Sequence, residues 1–258
     1  MIWDLIVDGA LDGESNMAID ASLLDEVEKA GARKTVLRFY RWSGPTVSLG
    51  RNQKIDKAVD AGYCRAHNID VVHRPTGGRA VLHDDELTYA IVSNDSSAFG
   101  ETIYGNYKRV SEALCLGFNR LGIPSLLAPD TLKPQPMMSD MDAPCFLSPS
   151  RYELTVNGRK IAGSAQRRLR RSFLQHGSLP ITVDTHMLAH ATRMANPEIL
   201  PEEMAGSAEF LKFRPTFQEL IQAFVKAFQD CFSASLTLTP PDCYKRFHDV
   251  QQRGSTTR

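Results

Sequence analysis

The sequence predicts a mixed α/β fold of the α+β kind, with mixed β-sheets flanked by helices, on three observations. Strand-like runs bounded by turn chemistry recur along the chain. Three segments place apolar residues at three- and four-residue spacing over several turns. Strands and helices do not alternate regularly enough for a repeated βαβ pattern. The 258 residues, 42% of them hydrophobic, suffice for a sizeable core. Without repeats or a low-complexity linker, the chain reads as one catalytic-size domain over 1–234 and a short C-terminal extension over 235–258 with a frayed polar tail. Lys plus Arg and Asp plus Glu both number 30, so no global field selects nucleic acid or an anionic membrane. Recognition by charge has to be local.

Asn16 to Ala30, with Met17, Ala21, Leu24 and Val27 on one side, is the first amphipathic helix, capped by Ser15 and Gly31. Thr35 to Trp42 and Thr46 to Leu49 are strands separated by the turn residues Ser43-Gly44-Pro45. Tyr40 and Trp42 share a strand face, as core aromatics or as the wall of a pocket. A short helix over Lys54 to Gly62 leads into Ile69 to His73, the Gly77-Gly78 turn, and renewed β-prone sequence at Ala80 to Leu82 and Leu87 to Val92. This stretch reads as a β-hairpin or a tight strand–turn–strand. Tyr104 to Leu121 is the second helix.

From Pro129 to Pro149 five prolines and three methionines give a long loop, which carries Cys145. Arg151 to Val156 alternates apolar and polar residues, Asn157-Gly158 is a strong hairpin signal, and Arg159 to Ala165 is the return strand. Phe173 to Ile181 is a further strand, a short helix begins at Asp184, and Phe217 to Phe232 is the third long helix. Ser235 to Thr239 is a last edge strand and Pro240 to Val250 a short helix.

The five cysteines, Cys64, Cys115, Cys145, Cys231 and Cys243, include no Cys-x-x-Cys pair, which disfavours a disulfide framework or zinc knuckle. The N-terminus has no basic leader and no apolar run long enough for a signal peptide or membrane span. A cytoplasmic protein is expected. His73, His83 and His176 lack compact ligand spacing, so no metal site is expected.

The Gly77-Gly78 pair between Arg74 and Arg79 has two readings: a generic turn needing positive φ, or a backbone surface for a ligand flanked by charge-assisted donors. Cys145 stands outside any helix or strand pattern, whereas Cys115 and Cys231 fall on apolar helix faces. A nucleophilic thiol needs a nearby cation or base, and Lys160, just past the Asn157-Gly158 turn, is the candidate. Phe39, Val47, Leu49 and Val72 are either plain core or linings for an apolar ligand. The run Arg167-Arg168-Leu169-Arg170-Arg171 is a solvated loop or a docking surface for acidic protein partners.

Four motifs then carry a resemblance. Asn16-Met17-Ala18-Ile19-Asp20, Arg74-Pro75-Thr76-Gly77-Gly78-Arg79-Ala80-Val81, Gly158-Arg159-Lys160-Ile161-Ala162-Gly163-Ser164-Ala165-Gln166 and Gln175-His176-Gly177-Ser178-Leu179 resemble, in order, the biotin and lipoate protein ligase superfamily. The similarity spans roughly Asn16 to Phe232 and is greatest to its cysteine-dependent octanoyltransferase branch, because Cys145-Phe146 precedes the lysine motif.

The resemblance implies octanoyl transfer, without a cofactor, from octanoyl-acyl carrier protein through a Cys145 thioester to a lysine of a lipoyl domain. The acceptors would be the glycine cleavage H protein or E2 subunits of 2-oxoacid dehydrogenases. Cys145 and Lys160 would be catalytic. Arg74, Thr76, Gly77, Gly78, Arg79, His83, Gly163, Ser164, Ala165 and His176 would bind substrate. The alternative is an ATP-dependent lipoate-protein ligase acting through lipoyl-adenylate, a branch that needs no cysteine and usually carries an accessory C-terminal domain.

Overall fold

The computed structural model describes residues 1–128, 152–194 and 197–240. Its elements in order are β1 (Ile2–Leu11), α1 (Gly13–Lys29), β2 (Thr35–Trp42), β3 (Thr46–Leu49), α2 (Ile55–Ala58), α3 (Ala61–Ala66), β4 (Asp70–His73), β5 (Val81–His83), β6 (Glu86–Ser93), α4 (Ser96–Phe99) and α5 (Ile103–Arg120). There follow β7 (Leu126–Leu127), β8 (Leu154–Val156), β9 (Arg159–Lys160), β10 (Gly163–Arg168), β11 (Phe173–Pro180), α6 (Thr185–Ala191), α7 (Leu200–Glu203), α8 (Phe217–Phe232) and β12 (Ser235–Leu238). The mixed α/β class expected from the sequence is the one observed.

A six-stranded sheet in the order β10-β11-β6-β2-β1-β12 forms the centre. β1, β2 and β12 run parallel, while β2, β6, β11 and β10 pair antiparallel. Strand alternation sends Leu37, Phe39, Leu87, Tyr89 and Ile91 to one face, where they pack with α5 and α8 residues such as Leu114, Phe118, Phe224 and Phe228. The other face carries Val36, Tyr40, Trp42, Ala90, Val92 and Leu174 against Met17, Leu23, Leu24 and Val27 of α1. One helix pair therefore covers one face, and α1 covers only part of the other.

The uncovered part faces a three-stranded sheet in the order β4-β3-β5. β4 runs parallel and β5 antiparallel to β3, so the Arg74 to Arg79 segment is not a hairpin turn. It carries the chain across the end of β3. A Cβ at Gly50 would lie 1.9 Å from the Gly78 carbonyl oxygen, so the crossing needs a glycine there, and Gly78 itself has φ 94°. Gly50→Ala is expected to destabilise the fold by about 1–3 kcal/mol through overpacking, read as a lower denaturant midpoint. An unchanged midpoint would show that the crossing can shift freely.

A third sheet, β7-β8-β9, contains the hairpin at Asn157-Gly158, whose positive φ values of 50° and 83° match the expected turn chemistry. The single return strand expected over Arg159 to Ala165 is instead two strands. β9 pairs with β8, then the buried Ile161 and Ala162 pass the chain to β10 in the large sheet. α1 begins earlier than expected because Asp12, not Ser15, caps it: its carboxylate accepts from Ser15 N at 2.8 Å. α8 spans the predicted residues, closed by a Thr216–Glu219 capping box. The Cys145 loop and the helix expected over Pro240 to Val250 lie outside the described residues, apart from Pro240.

Candidate active site

A narrow pocket, open in part to solvent, lies where the large sheet escapes α1. Met17, Tyr40, Trp42, Thr88, Gly163, Ser164, Ala165, His176, Gly177 and Ser178 line it from the α1 and large-sheet side; Ser48, Arg74, Val81 and His83 line it from the small-sheet side. Tyr40 and Trp42 thus serve both as core and as wall. Phe39, Val47, Leu49 and Val72 pack in core clusters and do not line it.

Two buried histidines are each held between a hydroxyl and a carboxylate. His176 Nδ1 lies 2.8 Å from Asp20 Oδ2 and Nε2 lies 2.7 Å from Thr76 Oγ1. Asp20 also accepts from Arg38 Nη1 at 2.8 Å and Tyr40 Oη at 2.9 Å. Burial alone would raise the Asp20 carboxyl, but the His176 hydrogen bond and the Arg38 charge together hold it below its ordinary 3.8. Burial, reinforced by the Arg74 and His83 charges and opposed by Asp20, depresses the His176 imidazole below 6.5. The neutral ring then donates its Nδ1 proton to Asp20 and accepts the Thr76 hydroxyl proton at Nε2.

Both shifts make the fold acid-sensitive. As pH falls below 6.5 the unfolded chain takes up a proton that native His176 resists, so stability declines from there toward the native value. Asp20 adds a second loss, complete once pH falls through its lowered native value. His176→Gln is expected to flatten the first decline in denaturant midpoints measured from pH 7.5 to 5; an unaltered slope would refute this origin.

His83 Nδ1 lies 2.8 Å from Glu86 Oε1 and Nε2 lies 2.7 Å from Ser48 Oγ, with the ring stacked on Trp42 at 4.1 Å between centroids. Glu86 also accepts from Trp42 Nε1, Thr88 Oγ1 and Ser178 Oγ. On the other wall Gln175 Nε2 donates to Tyr89 Oη at 2.9 Å, and the Tyr89 and Ser164 hydroxyls share a hydrogen bond at 2.8 Å. Burial pushes the Tyr89 phenol up to about 12, which keeps it a donor. The polar groups are thus turned toward one another, leaving an apolar slot suited to an alkyl chain.

Arg74 spends its five N–H groups on the protein: Nη1 on Ser48 O and Oγ, Nη2 on Gly77 O and Arg79 O, and Nε on Gly77 O, at 2.7–3.2 Å. It clamps the glycine crossing to β3. Gly77, Gly78 and Arg79 form that crossing, with Thr76 tied to His176 behind it. Gly177 must lack a side chain, since a Cβ there would lie 2.4 Å from the Gly163 carbonyl oxygen. Arg167 Nη1 reaches Pro75 O at 3.4 Å, and Arg171 is anchored by Glu28 and Ala30 O, so the basic run is partly structural.

Of the expected site residues, Arg74, His83, Gly163, Ser164, Ala165 and His176 therefore line one cavity. Lys160 is buried and is not among the cavity's lining residues, with Nζ 2.6 Å from Glu153 Oε1. Cys145 lies outside the described residues. Asp20, Arg38 and Glu86 join the site through hydrogen bonds, though no motif gives any of the three a role. Their signal was a charged residue within an apolar stripe, most plainly Arg38 in Val36-Leu37-Arg38-Phe39-Tyr40.

The lipoyl protein ligase A/B catalytic domain, as a family profile, matches residues 12–229. The chain belongs to this family. Among relatives of this catalytic-domain family, octanoyltransferase LipM from Geobacillus kaustophilus is 37% identical over 238 residues, covering 88% of this chain and 85% of its own. Octanoyltransferase LipM from Carboxydothermus hydrogenoformans is 38% identical over 242 residues, covering 90% and 87%. The family fold recurs in lipoate-protein ligase A bound with ATP, with TM-score 0.78 and 21% identity over 97% of this chain and 94% of the other. It recurs also in a lipoate protein ligase of T. acidophilum with bound lipoic acid, with TM-score 0.75 and 20% identity over 98% and 95%. Among the described residues no helix is long and apolar enough to cross a membrane.

Proposed function

We propose that this chain is an octanoyltransferase that carries an octanoyl group from octanoyl-acyl carrier protein, through a thioester on Cys145, to a lysine of a lipoyl-domain protein such as an H protein or an E2 subunit. The observation that carries the reading is its 35–39% identity to octanoyltransferases over most of its length. The apolar cavity supports it, since each methylene buried there contributes about 0.8 kcal/mol. A lipoyl-domain acceptor is further supported by a fold relative from Thermoplasma acidophilum, described together with its E2 lipoyl domain.

In this reading the Cys145 thiolate attacks the thioester carbonyl, with the Lys160 ammonium and backbone N–H groups near Gly77-Gly78 or Gly163-Ser164 stabilising the oxyanion. The carbon–sulfur bond to the carrier breaks, and the departing thiolate takes a proton from Lys160. The acceptor amine then attacks the acyl-cysteine, its proton returns to Lys160, and the Cys145 thiolate is released as the amide forms. In this reading Lys160 carries the proton, which the engagement of both His176 nitrogens by Asp20 and Thr76 supports.

The test is intact-mass measurement after mixing the protein with octanoyl-carrier thioester and no nucleotide. A covalent octanoyl adduct that discharges onto added apo lipoyl domain is expected. Lipoyl-domain acylation that proceeds only with ATP, without an adduct, would replace this reading by the ligase one.

A further inference from the structure

Lys160 does not stand alone in its buried position. Across the β8–β9 hairpin Thr155 is opposite Lys160, so strand alternation puts Glu153, Thr155 and Lys160 on one face while Leu154 and Val156 enter the core. Glu153 and Lys160 make a diagonal pair with 2.6 Å between Nζ and Oε1, and the two side chains are 9% and 7% exposed. Their backbones are fixed too. Glu153 O accepts from Ala128 N at 2.8 Å, Ile161 N donates to Leu154 O at 3.0 Å, and Lys160 O accepts from Ala205 N at 3.0 Å.

A buried ion pair is a poor way to gain stability, because desolvating both charges offsets most of their attraction and an apolar pair of similar volume often does as well. This pair joins the proposed reaction's one mobile proton to a fixed carboxylate. A lysine side chain also has many rotamers, which a fixed partner reduces to one.

We propose that Glu153 is a positioning residue for acyl transfer, holding the Lys160 amine in one orientation and favouring its charged form when the acceptor amine's proton returns to it. The inference rests on the octanoyltransferase reading of Lys160. It predicts that Glu153 acts on turnover and not on recognition of either protein substrate.

Glu153→Gln, Glu153→Asp, Lys160→Met and the Glu153→Gln/Lys160→Met double variant are assayed for octanoyl transfer to apo lipoyl domain, with thermal unfolding measured in parallel. Glu153→Gln is expected to lower kcat about 10- to 100-fold with KM unchanged, as for a misplaced catalytic group. Glu153→Asp should recover part of that loss, and the double variant should be no slower than Lys160→Met. If Glu153→Gln does not fold, the double variant, which removes both charges, and Glu153→Asp carry the comparison. Wild-type kcat in Glu153→Gln beside an inactive Lys160→Met would overturn the positioning role alone. Wild-type kcat in Lys160→Met would overturn the reading of Lys160 and the inference together. A kcat loss in Glu153→Gln that tracks its lost stability and is not recovered in Glu153→Asp would reduce Glu153 to a structural residue.

Discussion

Cys145→Ala is expected to abolish the octanoyl adduct and to lower transfer by about 10⁴-fold or more, as removal of a covalent nucleophile does elsewhere. The same substitution at Cys64, Cys115 or Cys231 should leave the adduct in place. Burial, with Asp60 nearby, pushes the Cys64 thiol up. Burial likewise raises Cys231, against the partial relief of Arg109. Neither presents a thiolate at neutral pH, and a nucleophile has to. Cys115 Sγ donates to Ser125 O at 3.3 Å and packs against the core under α5 and α8, not in the cavity. Tryptic mapping of the trapped acyl-enzyme checks the assignment: label on Cys64, Cys115 or Cys231, or an adduct persisting in Cys145→Ala, would refute it.

Asp20→Ala is expected to cost about 3–5 kcal/mol, the loss typical of breaking one side of a buried ion pair. Asp20 and Arg38 are both fully buried, and the alanine would strand two donors, Tyr40 Oη and His176 Nδ1, and leave Arg38 Nη1 with only the Asn16 carbonyl. Arg38 keeps Asp8 and Asn16 but loses the partner that neutralises its inner edge. For a chain of this size the loss corresponds to a Tm lower by about 10 °C. Freed from Asp20, His176 should also release Thr76 and with it the glycine crossing, so KM for the acyl donor should rise in whatever fraction remains folded. A Tm within 2–3 °C of wild type, roughly 1 kcal/mol, would show the network to be dispensable.

Much of the architecture was legible because local signals agreed with the final packing. α8 has a capping box and an unbroken apolar stripe, β2 and β3 have β-prone residues ended by Ser43-Gly44-Pro45, and Asn157-Gly158 admits few turns besides the one it makes. β1 went unassigned because Ile2 to Val7 was weighed only as a leader, and its partners β2 and β12 lie far along the chain. The Arg74 to Arg79 segment was misread as a hairpin turn for a related reason: local sequence gives two strands and a turn but not that both strands pair with β3 between them. Arg38 and Glu86 belong to no motif, and Asp20, though inside one, acquires its role only through partners up to 156 residues away, as His176 is to it.

The two-residue passage from β9 to β10 has a further consequence. Ile161 and Ala162 are buried and cross from one sheet to another, each sheet registered independently by its own ladder. Lys160 and Gly163 are therefore held at a separation of about 10 Å at most, a limit imposed by backbone length. Substituting either connecting residue leaves that span alone, but inserting or deleting one residue changes it by a full peptide step and flips one strand's alternation relative to its sheet. The reach between the Lys160 side chain and the cavity at Gly163 is metered by a count of residues, so tolerance to mutation at this join should be high for side-chain identity and close to nil for length.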